Sequence, residues 1–229
     1  MKWFNDLKIA AKLVVAFIAV LALTAALGAF SVVELGRVNQ STSAIATHWL
    51  PAIKATQDMR YRLSRIRTYS ILHVVEQVPE KRQAYEREMN HLAAELAEDR
   101  KAYEATLTLD DEKRSYAEFS RQLQEYRAVH DRALALSAAM KTDEGIALLT
   151  GPARDSYVAL ENSVAEIISA NLAGADESSR HGEALYSAAM GWIGGILVVC
   201  ILIGLGLALF VSRLISGALR EAVVLARSV

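Results

Sequence analysis

Two long stretches without a charged side chain constrain the fold more than any other feature of this 229-residue sequence. They occupy residues 13–33 and 187–212, and each supplies the roughly 20 apolar residues that a helix needs to cross a bilayer. The first is too long for the core of a signal peptide, and its end lacks a clear small-x-small cleavage site. We therefore predict two transmembrane helices, the first of them a retained anchor.

Basic side chains cluster at the outer ends of these two stretches. Three lysines precede the first stretch and three arginines come after the second: Lys2, Lys8, Lys12, Arg213, Arg220 and Arg227. An excess of lysine and arginine marks the cytoplasmic side of a membrane protein. Both termini are therefore predicted to be cytoplasmic, with the segment between the two stretches outside the cytoplasm.

The segment between the apolar stretches has the pattern of long helices. Apolar side chains recur every three or four residues, and few prolines or glycines interrupt them. This pattern predicts an all-α, antiparallel up-down four-helix bundle. The first predicted helix ends at about Val78, the second begins at Pro79 and the third begins at Asp110. The fourth begins near Pro152 and runs into the second apolar stretch. A short extra turn is predicted at 143–149. Thin, alanine-rich apolar stripes favour a homodimer, in which a second copy covers more of each helix.

Motifs for catalysis are absent from the sequence. There is no glycine-rich phosphate loop and no H-E-x-x-H, and no two of the five histidines are three or four residues apart. The single cysteine, Cys200, excludes a disulfide framework. We expect neither an enzyme nor a cofactor or metal site, and a formal net charge of −1 gives no reason to expect a nucleic-acid partner. His130 and Asn171, which fall on apolar stripes, are interpreted as polar residues of the core.

The segment 59–75 is exceptional because it holds four arginines and no acid. A guanidinium fork suits carboxylates and phosphates, so the cluster could receive an anion. Helical geometry puts Arg60 and Arg67 on one flank of the apolar stripe, Arg62 on the other, and Arg65 more nearly outward. The alternative is that these arginines are solvated or pair with acids of neighbouring helices. The candidate acids are Glu88, Glu95 and Glu161.

Three local segments, together with the overall layout, resemble the methyl-accepting chemotaxis receptors. LKIAAKL at 7–13 resembles the start of many such receptors. Trp49-Leu50-Pro51 followed by MRYRLSR at 59–65 resembles the first bundle helix of the amino-acid-sensing members. SRLISGALREA at 212–222 resembles the first helix of a HAMP relay module, although Ala218 stands where proline is usual.

This resemblance implies a ligand site on the first bundle helix at the seam of a homodimer. Arg60 and Arg65 match two positions that hold ligand carboxylates in the amino-acid receptors. Tyr69 stands where a third arginine would be expected, which puts aspartate- or serine-type specificity in doubt. The implied ligand is a small anion such as an amino or organic acid, and the candidate ligand-binding residues are Arg60, Arg65 and Tyr69.

The resemblance also implies the organisation of the chain and its place in the cell. The expected divisions are a cytoplasmic N-terminus (1–12), transmembrane helix 1 (13–33), a periplasmic sensor bundle (34–187), transmembrane helix 2 (188–212) and a truncated HAMP start (213–229). Such a chain would be a multi-pass protein of the bacterial inner membrane, in contact with lipid. It would act on a cytoplasmic kinase complex through regions beyond Val229.

The expected function is therefore that of a chemoreceptor sensor region, which relays ligand binding through transmembrane helix 2 to a HAMP module. The alternative is the input module of a sensor histidine kinase or a nucleotide cyclase.

Overall fold

The computed structural model describes residues 9–227. The helices in this range, in chain order, are α1 (Ile9–Ala44), a π-helical segment (Ile45–Trp49), α2 (Leu50–Val75), α3 (Pro79–Glu104), α4 (Asp110–Ala138), α5 (Thr142–Thr150) and α6 (Pro152–Arg227). No strand occurs in residues 9–227, which confirms the prediction of an all-α fold. Lys2, Lys8 and the first two residues of the segment 7–13 lie outside the described residues.

The chain divides into two compact units. The bundle unit, Thr42–Ser179, contains α2, α3, α4, α5 and the first part of α6. The apolar unit comprises residues up to Ser41 and from Arg180 onward. Helix α6 contributes residues to both units, as predicted for the fourth bundle helix.

The apolar segments retain the character that the sequence predicted for them. Leu13–Val75 and Thr142–Phe210 each include a window apolar and long enough to cross a membrane, with mean hydropathy 2.6 and 2.8. Large apolar side chains on these windows are exposed: Phe17, Ile18, Leu21, Leu202, Leu205 and Leu209. An exposed apolar surface of this extent is the usual mark of a contact with lipid or protein.

A π-helical segment lies directly before Pro51. Proline has no N–H to donate, and its ring clashes with the carbonyl four residues earlier in a regular α-helix. The wider turn at Ile45–Trp49 accommodates both consequences, so the helix continues into α2 instead of breaking. Regular α-helical geometry resumes at Leu50, directly before Pro51.

The connections between bundle helices are short and locally capped. Helix α2 ends at Val75, so the expected end near Val78 is wrong by one turn. The Glu76 carboxylate accepts the backbone N–H groups of Gln77 (2.9 Å) and Val78 (3.0 Å), which holds 76–78 extended before Pro79 opens α3. At the next connection, Glu112 accepts the N–H groups of Thr108 and Leu109 and caps α4.

The core of the bundle unit lies along the facing stripes of its four long helices. Met59, Phe119 and Leu160 are completely buried, one each from α2, α4 and α6. Asn171, predicted as a polar core residue, is 1% exposed. Burial raises the pKa of Tyr103 to about 12, while a hydrogen bond with Asn171 acts in the opposite direction.

Candidate functional site

Arg60, the first of the predicted ligand-binding residues, lies on the flank of α2 that faces α6. Its Nη2 is 3.3 Å from Glu161 Oε1, and both side chains are substantially exposed. Arg67 occupies the same flank, with its guanidinium 4.6 Å from the centre of the Tyr157 ring. The shared flank of Arg60 and Arg67 is therefore confirmed, and so is one of the expected acidic partners.

Arg62 lies on the opposite flank and joins α2 to α3. Its Nε is 3.3 Å from Glu95 Oε2 and 3.5 Å from Asp99 Oδ2. Burial raises the pKa of Asp99, and the nearby Arg62 guanidinium partly offsets that effect. The alternative interpretation of the arginine segment expected an ion pair with Glu95, and Arg62 forms it. Arg62 thus has a structural role.

Arg65 and Tyr69 contact each other on one face of α2. Arg65 Nη2 donates to the Tyr69 hydroxyl at 2.7 Å, and the guanidinium lies 4.8 Å from the ring centre. Five residues of helix separate Arg60 from Arg65, so the two point about 140° apart around the axis. The structure therefore brings Arg65 and Tyr69 together in one chain and keeps Arg60 away from them.

Between Arg60 and Arg65, around the axis of α2, this helix presents an exposed stripe. Tyr61 is 54% exposed and Ile71 is 44% exposed, although neither is charged. Smaller polar residues, Ser64 and Thr68, continue the stripe. Arg60 borders it on one side and Arg65 on the other.

A second feature, which we call the α3/α4 cleft, opens between α3 and α4 with α2 as its floor. Its volume is about 470 Å³. Apolar side chains form most of the floor and inner walls: Leu63, Ile66, Met89, Ala93, Leu96, Leu123 and Leu134. Polar side chains form the rim: Glu86, Asn90, Arg127 and Asp131. His130 and Tyr126 complete the lining.

A buried polar pair lies at the edge of this cleft. His130 Nε2 is 2.6 Å from Ser70 Oγ, and His130 Nδ1 is 3.0 Å from Asp131 Oδ1. Burial lowers the pKa of His130, against the opposing effect of Asp131. The interpretation of His130 as a core histidine is confirmed by its 6% exposure.

Ser70 and His73, which the sequence pattern did not single out, are both buried. His73 Nε2 is 3.0 Å from Glu86 Oε1, and its Nδ1 is 3.1 Å from Ser137 Oγ. Ser70 lies four residues after Ile66, and His73 lies three residues after Ser70, so both continue the α2 stripe of Met59, Leu63 and Ile66. Extending this stripe beyond Ile66 at the same spacing would have identified them. The rim of the cleft carries no comparable signal, because its residues look like ordinary surface side chains.

No group of three or more histidine, cysteine, aspartate or glutamate side chains suited to a metal ion occurs in the described part of the chain.

The described residues combine a four-helix bundle with two apolar helical segments that are long enough to cross a membrane. A family model described as a four helix bundle sensory module for signal transduction matches residues 6–186. The chain belongs to this family. The match confirms the resemblance of this chain to a sensory receptor module that its sequence indicated.

One relative among curated proteins is named "Putative sensory transducer protein YvaQ", from Bacillus subtilis (strain 168). It is 19% identical over 207 residues, which cover 90% of this chain and 36% of that protein. The chain thus spans about a third of the length of this relative.

Proposed function

We propose that this chain is the sensor region of a transmembrane chemoreceptor, which binds a small ligand outside the cytoplasm and passes the signal along α6 to a HAMP module. The observation that carries the proposal is α6 itself. Residues 152–179 of this helix belong to the bundle unit, and its later part contains the second apolar segment. A ligand that favours one of two packings of α6 in the bundle needs only a few kcal/mol of differential affinity to act as a switch.

The ligand site of this proposal is shared between two copies of the chain. Arg60 and Arg65 border the exposed stripe of α2 on opposite sides, so a second α2 packed on Tyr61 would bring Arg60 of one copy near Arg65 of the other. Tyr69 would fix the Arg65 guanidinium through its 2.7 Å hydrogen bond. Such a site suits a small anion such as an amino or organic acid.

Arg60→Ala is expected to weaken binding of that anion by about 10- to 150-fold, the equivalent of one charge-assisted hydrogen bond. The melting temperature should change little, because the Arg60–Glu161 pair is exposed and such pairs contribute little to stability. The measurement is a thermal-shift screen of amino and organic acids on the full chain in detergent, followed by calorimetry with the acids that bind.

Arg154→Ala provides the matched control. Arg154 is exposed like Arg60, but it lies on α6 and not on α2, so its loss should leave binding of the anion unchanged. Arg62→Ala is unsuitable, because it would leave Glu95 and Asp99 without their shared cation. Equal affinity of the parent and Arg60→Ala for every acid found would refute the shared anion site.

The proposed location is the bacterial inner membrane, with both termini in the cytoplasm and residues 34–187 in the periplasm. Alkaline phosphatase is active only in the periplasm, so a fusion at Thr108 is expected to be active and one at Val229 inactive. Fluorescence of a cytoplasm-restricted reporter at the same two positions should give the reverse pattern. An active phosphatase at Val229 would contradict the orientation.

The alternative is that the chain belongs to a sensor histidine kinase or a nucleotide cyclase, which would differ from a chemoreceptor in its output domain. The name of the relative, a sensory transducer, favours the chemoreceptor. Sequencing the gene beyond codon 229 distinguishes the outputs: a long heptad hairpin indicates a receptor, whereas a phosphoacceptor helix with an ATP-binding domain indicates a kinase.

A further inference from the structure

We propose that the α3/α4 cleft is a second ligand site, within one chain, for a small zwitterion with an apolar body, such as an apolar amino acid. This inference is independent of the shared anion site, because the cleft is lined by α2, α3 and α4 of a single copy. It therefore needs neither Arg60 nor a dimer.

The inner part of the cleft selects the body of the ligand. Its volume of about 470 Å³ falls within the range of small-molecule pockets, which are roughly 300–1,000 Å³. Leu63, Ile66 and Leu96 are buried and offer no polar atom from their side chains. A charged group placed there would lose its hydration without compensation, so the inner part suits an aliphatic or aromatic group.

The rim of the cleft selects the charges of the ligand. Arg127 forms no ion pair with any residue in the part of the chain that the structure describes, so its guanidinium can receive a carboxylate. Glu86 and Asp131 each have one oxygen bound to a histidine, at 3.0 Å in both cases. Their second oxygens remain able to accept from an ammonium group.

The spacing of these groups fits both charges of one small molecule. Arg127 and Asp131 are four residues apart on α4, about 6 Å along the helix axis. Because α3 and α4 are antiparallel neighbours, Glu86 and Asn90 line the opposite wall of the same cleft. A carboxylate at Arg127 thus leaves the ammonium of the same ligand within reach of the acidic side chains.

The charge balance of the rim argues against ligands with a single charge. One arginine and two carboxylates surround the opening. A simple carboxylic acid would bind Arg127 but face Glu86 and Asp131, and a simple amine would bind these acids but face Arg127. A zwitterion meets an opposite charge at each end.

The test compares three molecules with the same aromatic body. They are phenylalanine, 3-phenylpropanoate, which lacks the ammonium, and 2-phenylethylamine, which lacks the carboxylate. Calorimetry on the full 229-residue chain in detergent is expected to show phenylalanine binding at least about 10-fold more tightly than either analogue. Absence of binding by phenylalanine, or equal binding by 3-phenylpropanoate, would overturn the proposal.

Variants assign the binding to the cleft. Arg127→Ala is expected to weaken phenylalanine binding by about 10-fold or more. Arg132→Ala, an equal loss of charge at an exposed position of the same helix, should leave it unchanged. Ala93→Leu, which fills the inner cleft from a helix position that tolerates leucine, should abolish binding while the helical circular dichroism stays intact.

Arg60→Ala separates the two proposed sites. It should leave phenylalanine binding to the cleft unchanged, whatever its effect on the anion at the dimer seam. Loss of phenylalanine binding in Arg60→Ala, or its retention in Arg127→Ala, would place the ligand outside the cleft and refute this inference.

Discussion

Replacing Leu160 with alanine is expected to lower the free energy of unfolding of the bundle unit by about 2 to 5 kcal/mol. Leu160 is completely buried, on the stripe of α6 that faces the bundle core. Substitution by alanine removes the apolar contacts of Leu160 and leaves a cavity. The surrounding helices are long and packed against one another, so they can close this cavity only in part. Hydrogen exchange of the full chain, followed by mass spectrometry of peptides within 42–179, measures the change.

Val158→Ala is the matched control for this prediction. Val158 belongs to the same helix and is 44% exposed, so its truncation should change the free energy of unfolding by no more than about 0.5 kcal/mol. An equal loss of protection in Leu160→Ala and Val158→Ala would show that α6 does not pack in the bundle through the Leu160 face.

Much of the fold could be predicted because helix periodicity and helix signals are local. Met59, Leu63 and Ile66 on α2 are buried at the three- and four-residue spacing that predicted them. Pro79 and Asp110 open α3 and α4 as expected, since proline suits the first turn and acids suit the positive end of a helix. The end of α2 was placed too late because its stop depends on the Glu76 carboxylate binding the next backbone groups, a contact with no apolar periodicity.

The site was less predictable, because it depends on which neighbouring helix each flank meets. Helical geometry gave the directions of Arg60 and Arg62 correctly, yet their roles depend on Glu161 and on Glu95 with Asp99 on other helices. The α3/α4 cleft is a property of the separation between two helices, which one sequence does not encode in any local pattern. Arg127 consequently looked like any exposed arginine.

Trp49 lies so close to Gly174 that the effect of adding a side chain at residue 174 depends on whether the Trp49 ring is present. A Cβ built at Gly174 would overlap the outer carbons of the Trp49 ring. The ring cannot simply turn away, because its Nε1 donates to Ser178 at 2.9 Å. Gly174→Ala is therefore expected to destabilise the bundle unit by about 1 to 3 kcal/mol. This loss would occur even though alanine is more favourable than glycine in a helix interior by about 1 kcal/mol.

Removing the ring should reverse this effect. In a Trp49→Ala background the space beside residue 174 is open, so the same Gly174→Ala substitution is expected to stabilise the unit by up to about 1 kcal/mol, through helix propensity alone. A double-mutant cycle on the full chain, measured by hydrogen exchange of peptides within 42–179, isolates the coupling between the two positions. If Gly174→Ala has the same effect with and without the ring, Trp49 does not pack on Gly174. The π-helical segment that ends at Trp49 would then not be held against α6 by this contact.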